Sequence, residues 1–197
     1  MRWSLKLSVE LETGETNTYE VAQVDREETF IAPASLGLSI TESKQILAAV
    51  QTQMVTDQVA RHNEALKACR FCGRRVRTKG YYGSVFKSVF GEAPMRLRRV
   101  WGCECRGAAH RTFSSIPTGE NPTARELNYL TAKLAALMPF GKVADLLGEL
   151  LPASAGTNAV TVRNRTMRVG RRLEKSAIAV PGMARREVSP REKSRLV

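Results

Sequence analysis

The sequence predicts an α+β fold in which a strand hairpin and a long helix precede a second strand hairpin and three shorter helices. Three observations predict it. Residues 2–11 alternate between polar and apolar side chains, residues 42–66 contain neither Gly nor Pro, and three apolar stripes at helical spacing follow residue 122. A period of two indicates half-buried strands, and a period near 3.6 indicates amphipathic helices.

The first 25 residues predict a β-hairpin. "ETGET" has the composition of a turn, and "NTYEVAQV" follows it as the second strand. A two-stranded hairpin is marginal in water by itself, so its apolar face needs a partner. That face would carry Trp3, Leu5, Leu7, Val9 and Leu11.

The long helix is expected to be this partner. Thr41 stands at the N-cap position of the helix. Packing on the hairpin is the favoured role of its apolar face, and dimerisation with a second helix stays open as the alternative. The face carries Ile46, Leu47, Val50, Met54 and Val55.

The net charge of +12 is unevenly spread along the 197 residues. Residues 1–66 carry −5, residues 67–117 carry +10 and residues 118–197 carry +7. This asymmetry favours a polyanionic partner, with a basic surface that serves only solubility as the alternative. No apolar run is long enough to cross a bilayer and the N-terminus lacks a signal-peptide pattern, so a cytoplasmic location is expected.

All four cysteines lie in the most basic segment of the chain, residues 67–117. Cytosolic thiols stay reduced, which favours metal ligation over disulfides. Cys69 and Cys72 in "CRFCG" can bind one metal ion in a tight turn, for which Gly73 supplies the backbone conformation. Cys103 and Cys105 in "CEC" would complete a tetrahedral set suited to structural Zn²⁺. The strands "YYGSVFKSVFGE" and "PMRLRRVWGC", joined at "GEAP", then form a zinc-ribbon hairpin.

The second cysteine pair leaves alternatives open. Its single spacer, Glu104, is tighter than the two-residue spacer of most ribbons, so His110 rivals Cys105 as the fourth ligand. A site without metal is the third alternative. A closed set of four ligands leaves no position for water, which favours a structural over a catalytic ion.

Basic residues surround the cysteines and are candidates for contacts with DNA, although some could serve only to solubilise a strand face. The candidate contacts are Arg74, Arg75, Arg77 and Lys79, with Lys87, Arg96, Arg98, Arg99 and Arg106 also carried outward on the hairpin.

The last third of the chain predicts a helix-turn-helix unit of three helices, over Thr123–Met138, Gly141–Leu151 and Asn158–Lys175. Thr123 and Glu126 have the spacing of a capping box. The inward stripes would carry Leu127, Leu130, Leu134 and Leu137, then Val143, Leu146, Leu147 and Leu150. Short helices, a turn "PASAGT" and a basic last helix are typical of this DNA-binding motif.

The last helix is expected to read DNA. With Ala159, Val162, Val169 and Leu173 facing inward, its outer face offers Asn and Arg side chains that make bidentate contacts with bases, and arginines that suit phosphates. A solvated basic face is the alternative, and Gly170 weakens the helix. The candidate contacts are Asn158, Thr161, Asn164, Arg165, Arg168, Arg171 and Arg172.

The sequence offers no recognisable catalytic core. Its three aspartates, Asp25, Asp57 and Asp145, do not form the carboxylate cluster that holds two divalent ions in a nuclease or transposase. No phosphate-binding loop or dinucleotide fingerprint appears. A chain without catalytic activity of its own is expected.

The order of "CRFCG", strand hairpin, "CEC", "TARELNYLTAKLAALMPFGKVADLLGELL" and a basic helix ending "RRLEK" resembles the front part of a bacterial insertion-sequence transposase of the ISKra type. The resemblance covers roughly residues 1–175. It implies that the ribbon and helix-turn-helix bind the ends of a transposon, double-stranded terminal repeats, and that a separate ribonuclease-H-like domain with an Asp-Asp-Glu set cuts and joins DNA with Mg²⁺. No strand with a catalytic Asp follows "RRLEK", so no catalytic residue carries over.

The expected organisation is an acidic α/β region at 1–66, a zinc ribbon at 67–117, a helix-turn-helix unit at 118–176 and a disordered tail at 177–197. A truncated, frameshifted or split transposase all fit the resemblance. The expected partners are DNA and a second copy or a full-length transposase, with no membrane. Two other functions stay open: a stand-alone regulator of the antitoxin type, and an RNA-binding or scaffolding zinc-ribbon protein.

Overall fold

The computed structural model describes residues 1–26, 36–106, 111–114, 116, 122–152 and 158–178. The architecture is mixed α+β, with two small antiparallel sheets and four α-helices among these residues. His110 and the tail after residue 178 lie outside the described part, so the expectations for them stay predictions.

The N-terminal hairpin is confirmed. Strands β1 (Arg2–Glu10) and β2 (Thr16–Asp25) pair antiparallel, with Leu5 opposite Ala22 and a bulge between Leu5 and Lys6. Apolar side chains at alternate positions of β1 are half-buried, as the period of two predicts. Trp3 departs from the pattern because it lies near the open end of the hairpin and is 46% exposed.

Helix α1 spans Ile40–Ala65, and its N-cap is Ser39, not Thr41. The Ser39 hydroxyl accepts a hydrogen bond from the backbone N–H of Glu42, while the Glu42 carboxylate accepts one from the backbone N–H of Ser39. This reciprocal capping box satisfies two backbone donors at once. Thr41 has no comparable partner three residues on, which is why the helix begins earlier than predicted.

The second hairpin joins strands β3 (Thr78–Ser88) and β4 (Gly91–Trp101), and the short strand β5 (Thr112–Ser114) pairs with the end of β4. The turn is Val89–Phe90, so the predicted turn at "GEAP" is wrong: these residues belong to β4. Gly91, with φ near +111°, allows the chain to reverse just before that point.

Pro94 is tolerated inside β4 because of the direction in which its backbone points. The Arg96 carbonyl and the Arg98 N–H are directed away from β3. Residues two apart in a strand point the same way, so the missing N–H of Pro94 lies on the edge that β3 does not use.

Helix α1 contacts both sheets, on different sides. Asp57 accepts a hydrogen bond from the Tyr19 hydroxyl of β2, which agrees with the expected packing on the hairpin. Val55 and Val59, roughly half a turn away, are buried against the other sheet. Leu47 and Met54, expected on the packed face, are 42% and 46% exposed. The larger core of this part of the molecule thus joins α1 to Ala93, Met95 and Leu97 of β4.

Asn63 near the end of α1 closes part of the β4 edge. Its side-chain amide donates to the Arg96 carbonyl at 2.8 Å and accepts from the Arg98 N–H at 2.9 Å. β5 pairs with β4 only from Arg99 onward, so this amide takes the place of a strand where β5 stops.

The three C-terminal helices are confirmed with shifted bounds: α2 is Arg125–Ala135, α3 is Phe140–Leu150 and α4 is Ala159–Ile178. Val143, Ala144, Leu147 and Val162 form their shared core. Leu137, Leu150 and Leu173 were expected to face inward, but they are 74%, 53% and 65% exposed because each lies at or beyond the edge of the helix packing.

The capping box predicted at Thr123 and Glu126 does not form. The N-cap of α2 is Ala124, which makes no side-chain cap. Residues 122–124 instead run beside β3: the Lys87 N–H donates to the Pro122 carbonyl, and the Ala124 N–H donates to the Lys87 carbonyl. Pairing with the β3 edge keeps this segment extended and delays the helix by two residues.

The helical unit is attached at the turn of the second hairpin. A Cβ added to Gly91 would lie 3.4 Å from the Ala48 Cβ and 3.5 Å from the Pro152 carbonyl oxygen, so α1, the turn and the end of α3 meet there. The Lys44 ammonium of α1 also donates to the Gly148 carbonyl of α3.

Candidate metal centre and nucleic-acid surfaces

The first cysteine pair lies in a tight turn between α1 and β3. The Cys69 N–H donates to the Arg74 carbonyl and the Gly73 N–H donates to the Cys69 carbonyl, both at 2.8 Å. Gly73 has φ near +71°, the left-handed conformation expected for the residue after such a turn. The turn places the thiols of Cys69 and Cys72 close to each other, in one cluster with the other two cysteines.

The second pair follows β4 directly. Cys105 lies in a single 3₁₀ turn, Glu104–Arg106, which tightens the chain after Cys103. The Trp101 N–H donates to the Arg77 carbonyl at 2.8 Å, so this segment is tied to the strand entry beside the first pair. The tight turn is how the backbone accommodates a spacer of one residue.

The four sulfur atoms form one cluster, all within 4.8 Å of one another. Cys69 Sγ lies 3.7 Å from Cys105 Sγ, and Cys72 Sγ lies 3.5 Å from Cys103 Sγ. A tetrahedron with Zn–S bonds of about 2.3 Å has S–S edges of about 3.8 Å. The donor set and spacing therefore fit one metal ion, and all four cysteines can hold it without His110.

The electrostatics of the cluster favour a cation. The backbone N–H groups of Phe71 and Cys72 lower the pKa of Cys69 to about 6 by donating to its sulfur. Hydrogen bonds that the protonated Cys105 thiol donates to Cys103 and Cys72 raise its pKa to about 12; burial and the charge of Cys103 raise it further. A bound divalent ion would offset that repulsion.

The basic residues at this end of the hairpin are mostly exposed. Arg74, Arg75, Arg77 and Lys79 all reach solvent. The Lys79 ammonium lies 4.6 Å from the centre of the Trp101 ring, and the Arg70 guanidinium lies 4.9 Å from that of Phe71. These cation–π contacts restrict where the charged ends of Lys79 and Arg70 lie at the surface.

Arg98 departs from the expectation that it is carried outward. It is 7% exposed, and its guanidinium donates to the Thr78 hydroxyl. Arg98 therefore fixes the entry of β3 against β4.

Helix α4 presents most of the residues predicted to contact DNA. Asn164, Arg168, Arg171 and Arg172 are exposed, and Thr161 is half-buried. The Asn158 side-chain oxygen accepts from the Thr161 N–H at 2.8 Å, so this oxygen caps the helix.

Arg165 was expected on the outer face of α4, and that expectation is wrong. The residue is 6% exposed. It lies three residues after Val162 and four before Val169, so the helix turns it to the packed side. Its guanidinium donates to the Thr131 hydroxyl of α2 at 3.5 Å. Burial lowers the pKa of Arg165, and the charge of Arg168 lowers it further.

The two basic surfaces lie at opposite ends of the second hairpin. The cysteine cluster is at the end with Thr78 and Trp101, and the helical unit is at the end with Lys87 and Gly91. Ten residues of strand separate these ends, which is roughly 33 Å.

No family model and no curated protein matches this sequence. Within the described ranges, the four cysteines are the one group of three or more side chains placed to hold a metal ion. None of the helices described combines the length and the apolar character needed to span a bilayer.

Proposed function

We propose that this chain is the DNA-binding portion of a DNA transposase of the ISKra type, and that it binds the terminal repeats of a transposon. The observation that carries the proposal is the pairing of a four-cysteine cluster with exposed arginines at one end of a hairpin and a basic helix at the other. The resemblance of residues 1–175 to such transposases supports it.

The helical unit supplies sequence readout in this proposal. Helices α3 and α4 act as a helix-turn-helix, with α4 in the major groove. Asn164 and Arg168 are exposed one turn apart on α4 and contact base edges, for which amide and guanidinium groups are suited. Arg171 and Arg172, one turn further on, contact phosphates.

The cysteine cluster supplies the second contact. Zn²⁺ held by the four thiolates supplies rigidity and no chemistry, because four protein ligands leave no position for water. Arg74, Arg75, Arg77 and Lys79 then lie on a fixed turn and contact the phosphate backbone. The separation of roughly 33 Å between the two ends of the hairpin is close to one turn of duplex DNA, about 34 Å.

Fluorescence anisotropy with a duplex of the transposon end tests the proposal, with a scrambled duplex of equal length as the reference. Specific binding should be tighter than binding to the scrambled duplex by about 10³-fold or more at physiological salt. Arg168→Ala should lower affinity for the end by about 5- to 100-fold, while Arg61→Ala, an exposed arginine of α1, should leave it unchanged. Equal affinity for both duplexes would exclude the proposal.

A strand-cleavage assay with Mg²⁺ addresses the expectation that the chain lacks its own catalytic core. No cleavage or joining of end DNA is expected from the chain alone. Cleavage or joining of end DNA by the chain alone would contradict this expectation.

A further inference from the structure

One face of the three-stranded sheet packs against α1, and part of the other face is exposed among the residues described. Tyr82 and Phe86 of β3 pack with Met95 and Leu97 of β4 against α1. Side chains alternate along each strand, so the residues between them point away from α1. By this alternation and the strand register, the outer face carries Tyr81, Gly83, Val85 and Lys87 of β3, Glu92, Pro94, Arg96, Arg98 and Val100 of β4, and Phe113 of β5. Arg98 and Val100, the partners of Tyr81 and Phe113, are buried within it.

The outer face is rich in exposed aromatic and apolar side chains. Tyr81 is 49% exposed, Phe113 is 48% exposed and Val85 is 39% exposed. Phe113 pairs with Val100 of the central strand and Tyr81 pairs with Arg98, so the two rings lie on strands either side of β4. Strands two apart are separated by about 10 Å. Exposed apolar side chains that cluster on one surface are a feature of interaction sites.

The charge of the outer face identifies the kind of ligand. The Arg96 guanidinium lies 4.6 Å from the centre of the Tyr81 ring, which holds the charge over the face. The segment 67–117 that contains this sheet carries +10. Among the residues described, Glu92 is the acidic residue on this face; it lies at the end with Lys87, to which it is bound at 2.8 Å. Rings beside a fixed guanidinium, in a strongly basic surrounding, suit bases joined by phosphates.

Gly83 leaves the backbone of β3 uncovered close to Tyr81. It has no side chain, and a Cβ built there would meet nothing within 4 Å. A planar base stacked against Tyr81 or the Arg96 guanidinium could lie over this backbone without displacing any described atom.

We propose that the outer face binds unpaired bases of a DNA strand, with one base stacked on Tyr81 and Arg96 and another on Phe113. The proposal rests on the proposed function and extends it: the duplex is read by α4, and a frayed strand at the transposon end is held by the sheet. Stacking recognises the π-face that every base has, so this contact is tolerant of sequence.

Fluorescence anisotropy with three probes tests this inference: oligo(dT), an abasic strand of the same length, and a duplex. Each probe has about 12 nucleotides, a length within the range of single-strand site sizes. Oligo(dT) should bind more tightly than the abasic strand, because both carry the phosphates and only one carries bases. Tyr81→Ala should lower affinity for oligo(dT) by about 5- to 100-fold and leave duplex affinity unchanged.

Tyr129→Ala is the matched control. Tyr129 is 61% exposed, with the Lys133 ammonium 5.7 Å from its ring, but it belongs to α2 and not to the outer face of the sheet. This variant should bind oligo(dT) like the wild type. Gly83→Val should weaken binding without loss of folding, because a β-branched residue suits a strand and would cover this backbone. Tyr81→Phe keeps the ring and should retain affinity.

The outcomes separate the two proposals. Equal affinity for oligo(dT) and the abasic strand, or tighter binding of oligo(rU) than of oligo(dT), would overturn the inference while leaving specific duplex binding intact. Loss of duplex discrimination with Tyr81-dependent strand binding retained would instead overturn the proposed function alone. Circular dichroism and thermal melting of each variant exclude unfolding as the cause.

Discussion

The guanidinium of Arg165 on α4 lies 3.5 Å from the hydroxyl oxygen of Thr131 on α2, and both residues are buried. Thr131 donates in turn to the Leu127 carbonyl one turn earlier in α2. The contact fixes the orientation of the basic helix relative to its neighbour. It also makes Arg165 a structural residue in a helix whose other arginines are exposed.

Replacing Arg165 should therefore affect stability and not DNA contacts. Arg165→Met keeps the aliphatic stem and removes a buried charge, so thermal stability should be equal or higher. Arg165→Ala should lower the free energy of unfolding by about 1–3 kcal/mol through lost packing. Differential scanning calorimetry measures both. A folded Arg165→Met protein that no longer binds DNA would show that the guanidinium is a contact after all; Arg168→Ala is the control for that phenotype.

Metal content should depend on all four cysteines. One zinc per chain is expected after purification, and each of the variants Cys69→Ser, Cys72→Ser, Cys103→Ser and Cys105→Ser should lose most of it, because three ligands rarely make a closed structural site. Elemental analysis and Co²⁺ absorption spectra measure this. His110→Ala should retain full zinc; loss of zinc in this variant with retention in Cys105→Ser would assign the fourth position to His110.

Removing the metal should loosen the end of the hairpin that carries the cysteines. The two segments that carry the cysteines, residues 67–77 and 101–106, contain few buried apolar residues. Metal binding therefore supplies much of their stability. A chelator should increase hydrogen exchange in residues 67–77 and 101–106 and leave the protected core of α3 and α4 unchanged. Uniform loss of protection across the chain would contradict this local role.

Asn63→Ala should destabilise the protein by about 1–3 kcal/mol. The substitution removes an amide that pairs with two backbone groups of β4, and leaves them without a partner. Urea unfolding measures the change, and exchange of the Arg98 amide hydrogen should accelerate with it. Asn164→Ala, at an exposed position of α4, should leave stability unchanged. No effect of Asn63→Ala on the Arg98 amide would refute the edge contact.

The capping box of α1 should give an acid-dependent contribution to stability. Hydrogen bonds from Arg26, and then from Ser39, lower the pKa of Glu42 to about 2 from an ordinary value of 4.5. A carboxylate whose pKa is lowered on folding stabilises the protein above its unfolded pKa, and this contribution is lost as the pH falls through about 2. The difference in melting temperature between wild type and Glu42→Gln should be largest near neutral pH and shrink between pH 4.5 and 2. A constant difference would exclude this linkage.

The local elements were predictable because their signals are local. Alternation in residues 2–11 predicts a strand, and apolar stripes after residue 122 predict helices. The cysteine spacing predicts a shared metal site, and the distances between the sulfur atoms allow one. Gly73 was also expected from its place after "CRFC", and its positive φ agrees.

What the sequence did not reveal depends on contacts between distant segments. Val59 and Asn63 of α1 have partners more than 30 residues away, and no periodic pattern identifies them. Neither Val89 nor Phe90 is a residue type that favours turns. The turn forms there because Gly91 adopts a positive φ and Val89 is buried. Arg165 differs from these residues, because its spacing from Val162 and Val169 in the sequence places it on the packed face, while only its charge favours the outer face.

The position of α1 also makes the charge distribution of the molecule uneven. Helix α1, which belongs to the acidic segment 1–66, covers one side of the three-stranded sheet, while Arg96 carries positive charge on the other side. Such a separation of charge is a molecular dipole, and the field of a DNA duplex exerts a torque on it before any atom touches. The protein should therefore approach DNA with α1 on the side that faces away from the duplex. Its association rate should fall with added salt more steeply than that of a protein with the same net charge distributed evenly.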